Sequence, residues 1–404
     1  MIPTDDKFYK WIDAHIGDNV AALRLSTHSR HDIDYDAAIS QIECRRKFGS
    51  KLSRTLASAP RFYFPSVLAG EQSTSDLLAA WHSSQMPEGM TAVDLTAGLG
   101  IDVFHLSERA SEVAAVELDS ARAEAIRHNA GLLGADNIEV VNADCIEFID
   151  NCISSGRRFD VAFIDPARRA ADGSRVYALA ECEPDVLALL PKLQRMCRLL
   201  LVKASPMLDI THTFNSLSVK PVYIAAVGTP TECKELFFLI DFESQPSEPD
   251  IEGVTLTPSG AVTFAFMRSK EDAATIPAAT APVKAGDYIY EPYPAMMKVD
   301  AFKIIADSFG LSIFHPNTKL YYSTEAVDGF PGKRYKVVEV MPYASKIIKR
   351  FRSHYPAAEV AVRNFGTGAD TLRTRLGVRD AGPLRLYGLS DASDSKLLVL
   401  TQES

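Results

Sequence analysis

Cysteine pairs at CxxC or zinc-ligand spacing are missing from this chain, whose six cysteines (Cys44, Cys145, Cys152, Cys182, Cys197 and Cys233) lie scattered along it. That scatter argues against a disulfide scaffold or a zinc site and predicts reduced thiols, no metal and a cytoplasmic setting. No apolar run approaches the length needed to span a bilayer, so no membrane is expected as a partner. The opening MIPTDDKFYKWIDAHIG is polar and acidic, unlike a signal peptide. Positive charge is not in excess either. Lys and Arg number 43 against 52 Asp and Glu, and the net −9 argues against wholesale polyanion binding.

What is present is unevenly placed. Between 333 and 385 there are twelve Lys/Arg against four Asp/Glu, and between 44 and 61 there are six (Arg45, Arg46, Lys47, Lys51, Arg54, Arg61) with no acid. Either patch alone reads as a solvated helix face. Together, flanking an acidic middle, they make an anionic partner an expectation.

A chain of 404 residues is too long for one ordinary core, so two or three domains are expected. Residues 1–75 carry apolar residues at helical spacing, and EQSTSDLLAAWH (71–82) reads as a capped helix. From Thr91 onward TAVDLTAG, EVAAVELD, IEVVNAD, FDVAFIDP and LLLVKASP recur at β-α intervals. Right-handed crossovers then impose a mostly parallel sheet with helices on both faces. VYIAAVGT and ELFFLIDFE leave no room for a helix between them and predict a hairpin at one sheet edge, with VTFAFMR closing the domain near 270. Residues 271–286 are small and Pro-rich, the composition of a linker, and 287–404 alternate short helices and strands.

The most informative stretch is VDLTAGLGIDVFHLS, 93–107. A strand ends in Asp94, a turn carries Thr96, Ala97, Gly98 and Gly100, and a helix opens near Asp102. Glycines there let backbone approach a ligand, but GxGxxG is absent and Asp102 would repel a pyrophosphate. A cationic or zwitterionic ligand suits the turn better than a dinucleotide. The next strand ends in Glu117 and Leu118, placed to accept ribose hydroxyls; the third ends in Asp144 and Cys145, beside an adenine amino group; the fourth ends in Asp165.

In this order and spacing, VDLTAGLG, VELD, NAD and IDPARR resemble the motifs of class I S-adenosylmethionine-dependent methyltransferases over 71–268. The resemblance implies an α/β, Rossmann-like, seven-stranded methyltransferase core (76–270) after an N-terminal helical segment (1–75). It implies S-adenosyl-L-methionine as cofactor, with Asp94, Thr96, Ala97, Gly98 and Gly100 around the methionine part, Glu117 and Leu118 at the ribose, Asp144 and Cys145 at the adenine, and Asp165 among the cofactor contacts, beside the methyl. Thr96 departs from the common DxGxGxG pattern, and TAGLG resembles some RNA guanine methyltransferases. EQSTS resembles the segment preceding the core in cap-RNA hypermethylases. It implies that hydroxyls of Ser73, Thr74 or Ser75 close over the methionine carboxylate, or else that they cap a helix.

In exocyclic-amine methylases the place of DPARR typically holds Asn/Asp-Pro-Pro-aromatic. That makes Asp165, Pro166 and Arg168 the candidate catalytic residues, with Ala167 and Arg168 where proline and the aromatic would stand. No cysteine lies near DPARR in sequence, which ranks pyrimidine C5 methylation low. Lys203, after the fifth strand, is placed to pair with Asp165, while Arg168 and Arg169 suit a phosphate or carboxylate. Residues 288–401 resemble the C-terminal part of the DPARR-motif bacterial family, with a ferredoxin-like segment (287–330) and a THUMP-like domain (331–404). That likeness implies tRNA or rRNA as partner, met by Lys333, Arg334, Lys346, Lys349, Arg350 and Arg363. The function expected is methylation of a nucleobase nitrogen in structured RNA. The alternatives are a methyltransferase acting on a protein or small acidic metabolite, and a non-catalytic RNA-binding protein.

Overall fold

The computed structural model describes residues 2–3, 5–27, 32–168, 178–244, 246–276 and 282–404, with the Arg168 side chain outside the description. Contacts divide the chain into two compact units, Met1–Val222 with Phe237–Pro246, and Tyr223–Leu236 with Ser247–Ser404. The division falls at 222/223, upstream of the boundary expected at 270.

The first unit opens with five helices, α1 (Asp6–His15), α2 (Val20–Thr27), α3 (Tyr35–Phe48), α4 (Ser53–Ser58) and α5 (Val67–Gln72). Phe8, Tyr9, Ile12, Leu23, Ala38, Ile39 and Ile42 recur at helical spacing and bury one face each of α1, α2 and α3 in a shared core. Next comes α6 (Asp76–Ser84), followed by β1 (Thr91–Asp94), α7 (Ile101–Ser107), β2 (Glu112–Glu117), α8 (Ser120–Leu133), β3 (Ile138–Asn142), α9 (Cys145–Ser155) and β4 (Phe159–Ile164). A two-residue ribbon, β5 (Ala167–Arg168) with β6 (Cys182–Glu183), precedes α10 (Val186–Met196), β7 (Cys197–Ala204) and α11 (Ile210–Ser216).

The strands align in the order β7-β4-β1-β2-β3, all parallel. Strands β1, β2, β4 and β7 read as nearly continuous buried runs, as strands covered on both faces do, whereas edge strand β3 is only partly buried. From β1 the chain runs outward through β2 and β3, then crosses back to β4 on the other side of β1. The gap between the carboxyl ends of β1 and β4 is therefore the topological switch point, where open α/β sheets hold their ligands.

In the second unit, β8 (Tyr223–Gly228) and the start of β9 (Cys233–Asp241) form the expected hairpin, closed by Thr229 N–H donating to Glu232 O at 2.8 Å. It is not an edge. Strand β10 (Asp250–Thr257), absent from the sequence reading, pairs parallel with β8, and β11 (Gly260–Met267) pairs antiparallel with β10. After α12 (Arg268–Ala273) come β12 (Tyr288–Pro292), α13 (Pro294–Lys298), α14 (Phe302–Phe309), β13 (Ser312–Ile313) and β14 (Tyr321–Ser323). The chain ends with β15 (Gly332–Pro342), α15 (Ser345–His354), β16 (Glu359–Arg363), α16 (Ala369–Leu376), β17 (Leu384–Ser390) and β18 (Lys396–Glu403).

These last strands make one sheet, β13-β14-β12-β15-β18-β17-β16, so the segments expected as 287–330 and 331–404 share a single sheet across the β12/β15 ladder. Its two faces carry separate cores, one around Ile289, Tyr335 and Tyr387, the other around Phe351, Leu372 and Leu398 beneath α15 and α16. Glu271, expected in a linker, is buried, and its carboxylate accepts from the first free amides of α14, Lys303 N at 3.0 Å and Ile304 N at 2.8 Å.

Candidate functional site

Strand β1 delivers Asp94, 1% exposed, to the switch point. Thr96 N–H donates to Asp94 Oδ1 at 2.9 Å, and the Thr96 hydroxyl accepts from Asp165 N–H at 2.8 Å, tying the ends of β1 and β4 together. Thr96 stands where the common pattern has glycine, and this crosslink is the physical use of its side chain. Gly98 and Gly100 take φ of 59° and 87°, the left-handed region that excludes most side chains. A Cβ on Gly100 would also lie 2.9 Å from Phe104 Cζ, whereas one on Gly98 would meet nothing closer than 3.8 Å. The Gly98 side of the turn is thus open and the Gly100 side is packed.

Glu117 at the end of β2 is buried, with Oε2 accepting from Gly98 N–H at 2.7 Å and Oε1 from Asp119 N–H at 2.8 Å. Two fixed donors aim the carboxylate, and each oxygen keeps a lone pair for a ligand hydroxyl. Beside it Leu118 is 70% exposed, an apolar surface at the same strand end. Asp144 caps α9, its Oδ1 accepting from Ile146 N at 2.8 Å and Glu147 N at 3.2 Å. Burial pushes the neighbouring Cys145 thiol up to about 11, so it stays a neutral thiol.

Asp165 at the end of β4 pairs with Lys203 of β7, with Nζ 2.5 Å from Oδ2, the partnership expected from sequence. Lys203 also donates to Thr74 Oγ1 at 3.2 Å; Thr74 donates to Asp102 Oδ2, and His82 Nδ1 lies 2.7 Å from Asp102 Oδ1. Three carboxylates therefore crowd around one ammonium. Burial raises the Asp94 carboxyl well above its ordinary value, reinforced by Asp102 and Asp165. Burial alone would raise Asp102 too, but His82, Lys203 and Thr74 outweigh it and hold it at about 2. Because Asp102 sits below its ordinary 3.8 in the folded chain, its contribution is present above about pH 4 and lost as pH falls toward 2. Asp102→Asn should remove about 2 kcal/mol of pH-dependent stability at neutral pH and flatten the acid limb between pH 4 and 2. Urea unfolding of both proteins across that range checks it.

One cleft gathers these groups: Thr74, Thr96, Ala97, Gly98, Asp102 and Asp165 line it, with Ala69, Gln72, Ser73, Leu99, Ile101 and Arg122. The sequence reading did not single out Gln72 or Arg122. Of the three hydroxyls in EQSTS, Ser75 is the helix cap, accepting from Leu78 N at 3.3 Å, and Ser73 donates to Gly70 O at 3.0 Å. Only Thr74 reaches the acidic cluster. Pro166 is buried, Arg169 lies outside the described residues, and the role of the Arg168 side chain does too. The expectation that no cysteine lies near DPARR needs correction: the β5/β6 ribbon sets the buried Cys182 opposite Arg168. Among the described residues no His/Cys/Asp/Glu cluster could hold a metal, and no helix is long and apolar enough to cross a membrane.

The N-terminal basic patch is consumed by the fold. Lys47 pairs with Glu71, Arg54 with Glu108 and Arg61 with Asp6, while Arg45, Arg46 and Lys51 donate to backbone carbonyls. In the second unit, Arg363 lies 2.5 Å from Glu291, and Arg334 lies 2.8 Å from Asp328 and donates to Ser404. Both expected RNA contacts are thus engaged internally, and Lys333 sits half-buried in β15 opposite Glu291. Helix α15 differs. Ile347, Ile348 and Phe351 face the core, and Lys346, Lys349, Arg350 and Arg352 are exposed with no side-chain partner among the described residues.

Known proteins can now be set beside this geometry. Residues 288–331 match a ferredoxin-like domain, 332–403 a domain described as THUMP domain-like, and 78–181 a family described as conserved hypothetical protein 95. A candidate methyltransferase from Porphyromonas gingivalis W83, solved by crystallography, is 31% identical, with both chains covered over 100% of their length at a TM-score of 0.87. The chain belongs to that protein's family. In this chain the ferredoxin-like and THUMP-like segments follow the α/β core and are built on one sheet. Two curated relatives match a shorter stretch. An uncharacterized RNA methyltransferase of Clostridium tetani is 28% identical over 92 residues, 23% of this chain and 20% of that one. One of Geobacter sulfurreducens is 26% identical over 126 residues, 31% and 25% respectively. The chain thus spans a quarter or less of the length of these curated relatives.

Proposed function

We propose that the chain is a cytoplasmic S-adenosylmethionine-dependent methyltransferase acting on a nucleobase nitrogen of structured RNA, tRNA or rRNA. The observation that carries the reading is the cleft at the β1/β4 switch point, onto which Thr96, Gly98 and Asp165 open with Glu117 bonded to its rim. The donor set fits this cofactor. The Glu117 carboxylate, aimed by two backbone donors, suits a ribose diol, the open Gly98 turn admits a close backbone approach, and the acidic surround suits a sulfonium and repels a diphosphate. Asp94, Thr96, Ala97, Gly98, Gly100 and Thr74 would hold the methionine part, Glu117 and Leu118 the ribose, and Asp144 and Cys145 the adenine.

When bound, the cofactor supplies a methyl group activated by its sulfonium. The chain's own work is alignment. Asp165, held by Lys203, and the Pro166 backbone would accept from an exocyclic amine and aim its lone pair. RNA affinity would come from the free cations of α15, with Lys333 in a supporting place. Charge reversal of Lys346, Lys349 and Arg350 together should lower the slope of log affinity against log salt by roughly 2 to 3. Arg363→Ala should leave that slope unchanged and lower stability instead, because it removes one of the two arginines paired with the largely enclosed Glu291, leaving Arg385 alone. Filter-binding titrations at several salt concentrations separate the two. Mass spectrometry of nucleosides from a strain lacking the gene, compared with its parent, tests the reading itself: one methylated nucleoside should disappear.

A further inference from the structure

The cleft is acidic except at one point. Among the described residues lining it, Asp102 and Asp165 are negative and Arg122, in the first turn of α8, is the one cation. Its guanidinium has a single partner among the described residues, the neutral Gln72 Oε1 at 3.3 Å, and no carboxylate. Elsewhere in the same unit Arg54 is paired with Glu108, Arg61 with Asp6 and Arg109 with Glu88. A half-buried arginine turned to a cleft and held there by an amide is arranged for an anion that arrives from outside.

The proposed ligand brings one. S-adenosylmethionine ends in an amino-acid carboxylate, and the hydroxyls expected to take it are committed elsewhere. Ser73 donates to Gly70 O, Thr74 to Asp102, and Ser75 caps α6. Lys203 is already shared among Asp94, Asp102 and Asp165, so a further carboxylate beside them would need a second cation to offset the repulsion. We infer that Arg122, steered by Gln72, is the carboxylate-binding residue of the cleft and fixes the direction in which the zwitterionic methyl donor lies. The sulfonium then falls toward the acidic end and the carboxylate toward α8. This inference rests on the cofactor reading given above.

Calorimetric titration of the full-length chain with S-adenosylmethionine and with its decarboxylated analogue tests it. The wild-type chain should prefer the carboxylated compound by roughly 10- to 100-fold, the range of a charge-assisted pair. Arg122→Met should abolish that preference while leaving affinity for the decarboxylated analogue unchanged, and Arg122→Lys should restore part of it. The unliganded unfolding temperature of each variant should match the wild type, since the side chain packs on little. Equal weakening of both compounds, or no weakening of either, overturns the assignment, as does loss of RNA affinity alone, which would make Arg122 a phosphate contact. If the wild-type chain binds neither compound, the cofactor reading falls together with it.

Discussion

Asp165→Ala should cut the rate of methyl transfer by about 10²- to 10³-fold, the scale seen when one group aligned on a reacting atom is removed. Two losses combine. The acceptor for the amine proton disappears, and Lys203, 14% exposed, is left without the carboxylate 2.5 Å away. Cofactor affinity should change only a few-fold, because the Glu117 and Gly98 contacts lie on β2 and the β1 turn. Asp165→Asn keeps an acceptor oxygen and should fall between the wild type and the alanine variant. Single-turnover rates at saturating cofactor measure the effect. A drop in cofactor affinity that accounted for the whole loss would show Asp165 to be a cofactor residue and not an aligning one.

The second large effect is expected at Glu117. Its carboxylate is the one group at the β2 end that can take two hydroxyls at once, and charge-assisted bonds of that kind contribute about 1.5–3 kcal/mol each. Glu117→Ala should therefore weaken S-adenosylmethionine binding by about a hundredfold or more. Part of that loss is indirect. Gly98 N–H and Asp119 N–H would lose their acceptor, loosening the turn that meets the methionine part. Glu117→Gln retains one carbonyl acceptor and should lose about tenfold. Titration calorimetry with S-adenosylhomocysteine, which has no transferable methyl group, isolates this binding effect from chemistry.

Both predictions start from residues visible in the bare sequence. Asp94, Glu117 and Asp165 were legible because a buried parallel strand announces itself as an apolar run, and the residue that ends it lands on the ligand edge. The Lys203–Asp165 pair was legible for the same reason: β4 and β7 end in register beside each other. Charge was far less readable. A count along the chain cannot see that Arg54 meets Glu108 or that Arg363 meets Glu291, since those acids lie 54 and 72 residues away. Helix α15, whose cations occupy the face opposite Ile347, Ile348 and Phe351, kept its charge for solvent. Arg122 escaped notice because the first turn of a helix carries no motif, and its meaning depends on α5 folding back beside it. Strand β10 was missed for want of a clean alternating pattern; it is buried on both faces and carries Gly253, where a Cβ would strike Met296 Sδ at 2.4 Å. Cys182 came to lie opposite Arg168 through a ribbon of two residues a strand, too short to leave a trace in sequence.

The central claim is methyl transfer to RNA, and one measurement meets it directly. Purified wild-type protein is incubated with methyl-labelled S-adenosylmethionine and total RNA from a strain lacking the gene, and the RNA is digested to nucleosides. Label should appear in one nucleoside, on a base nitrogen, and should be largely absent with Asp165→Ala. RNA that stays unlabelled while the same protein binds both cofactor and RNA would contradict the account.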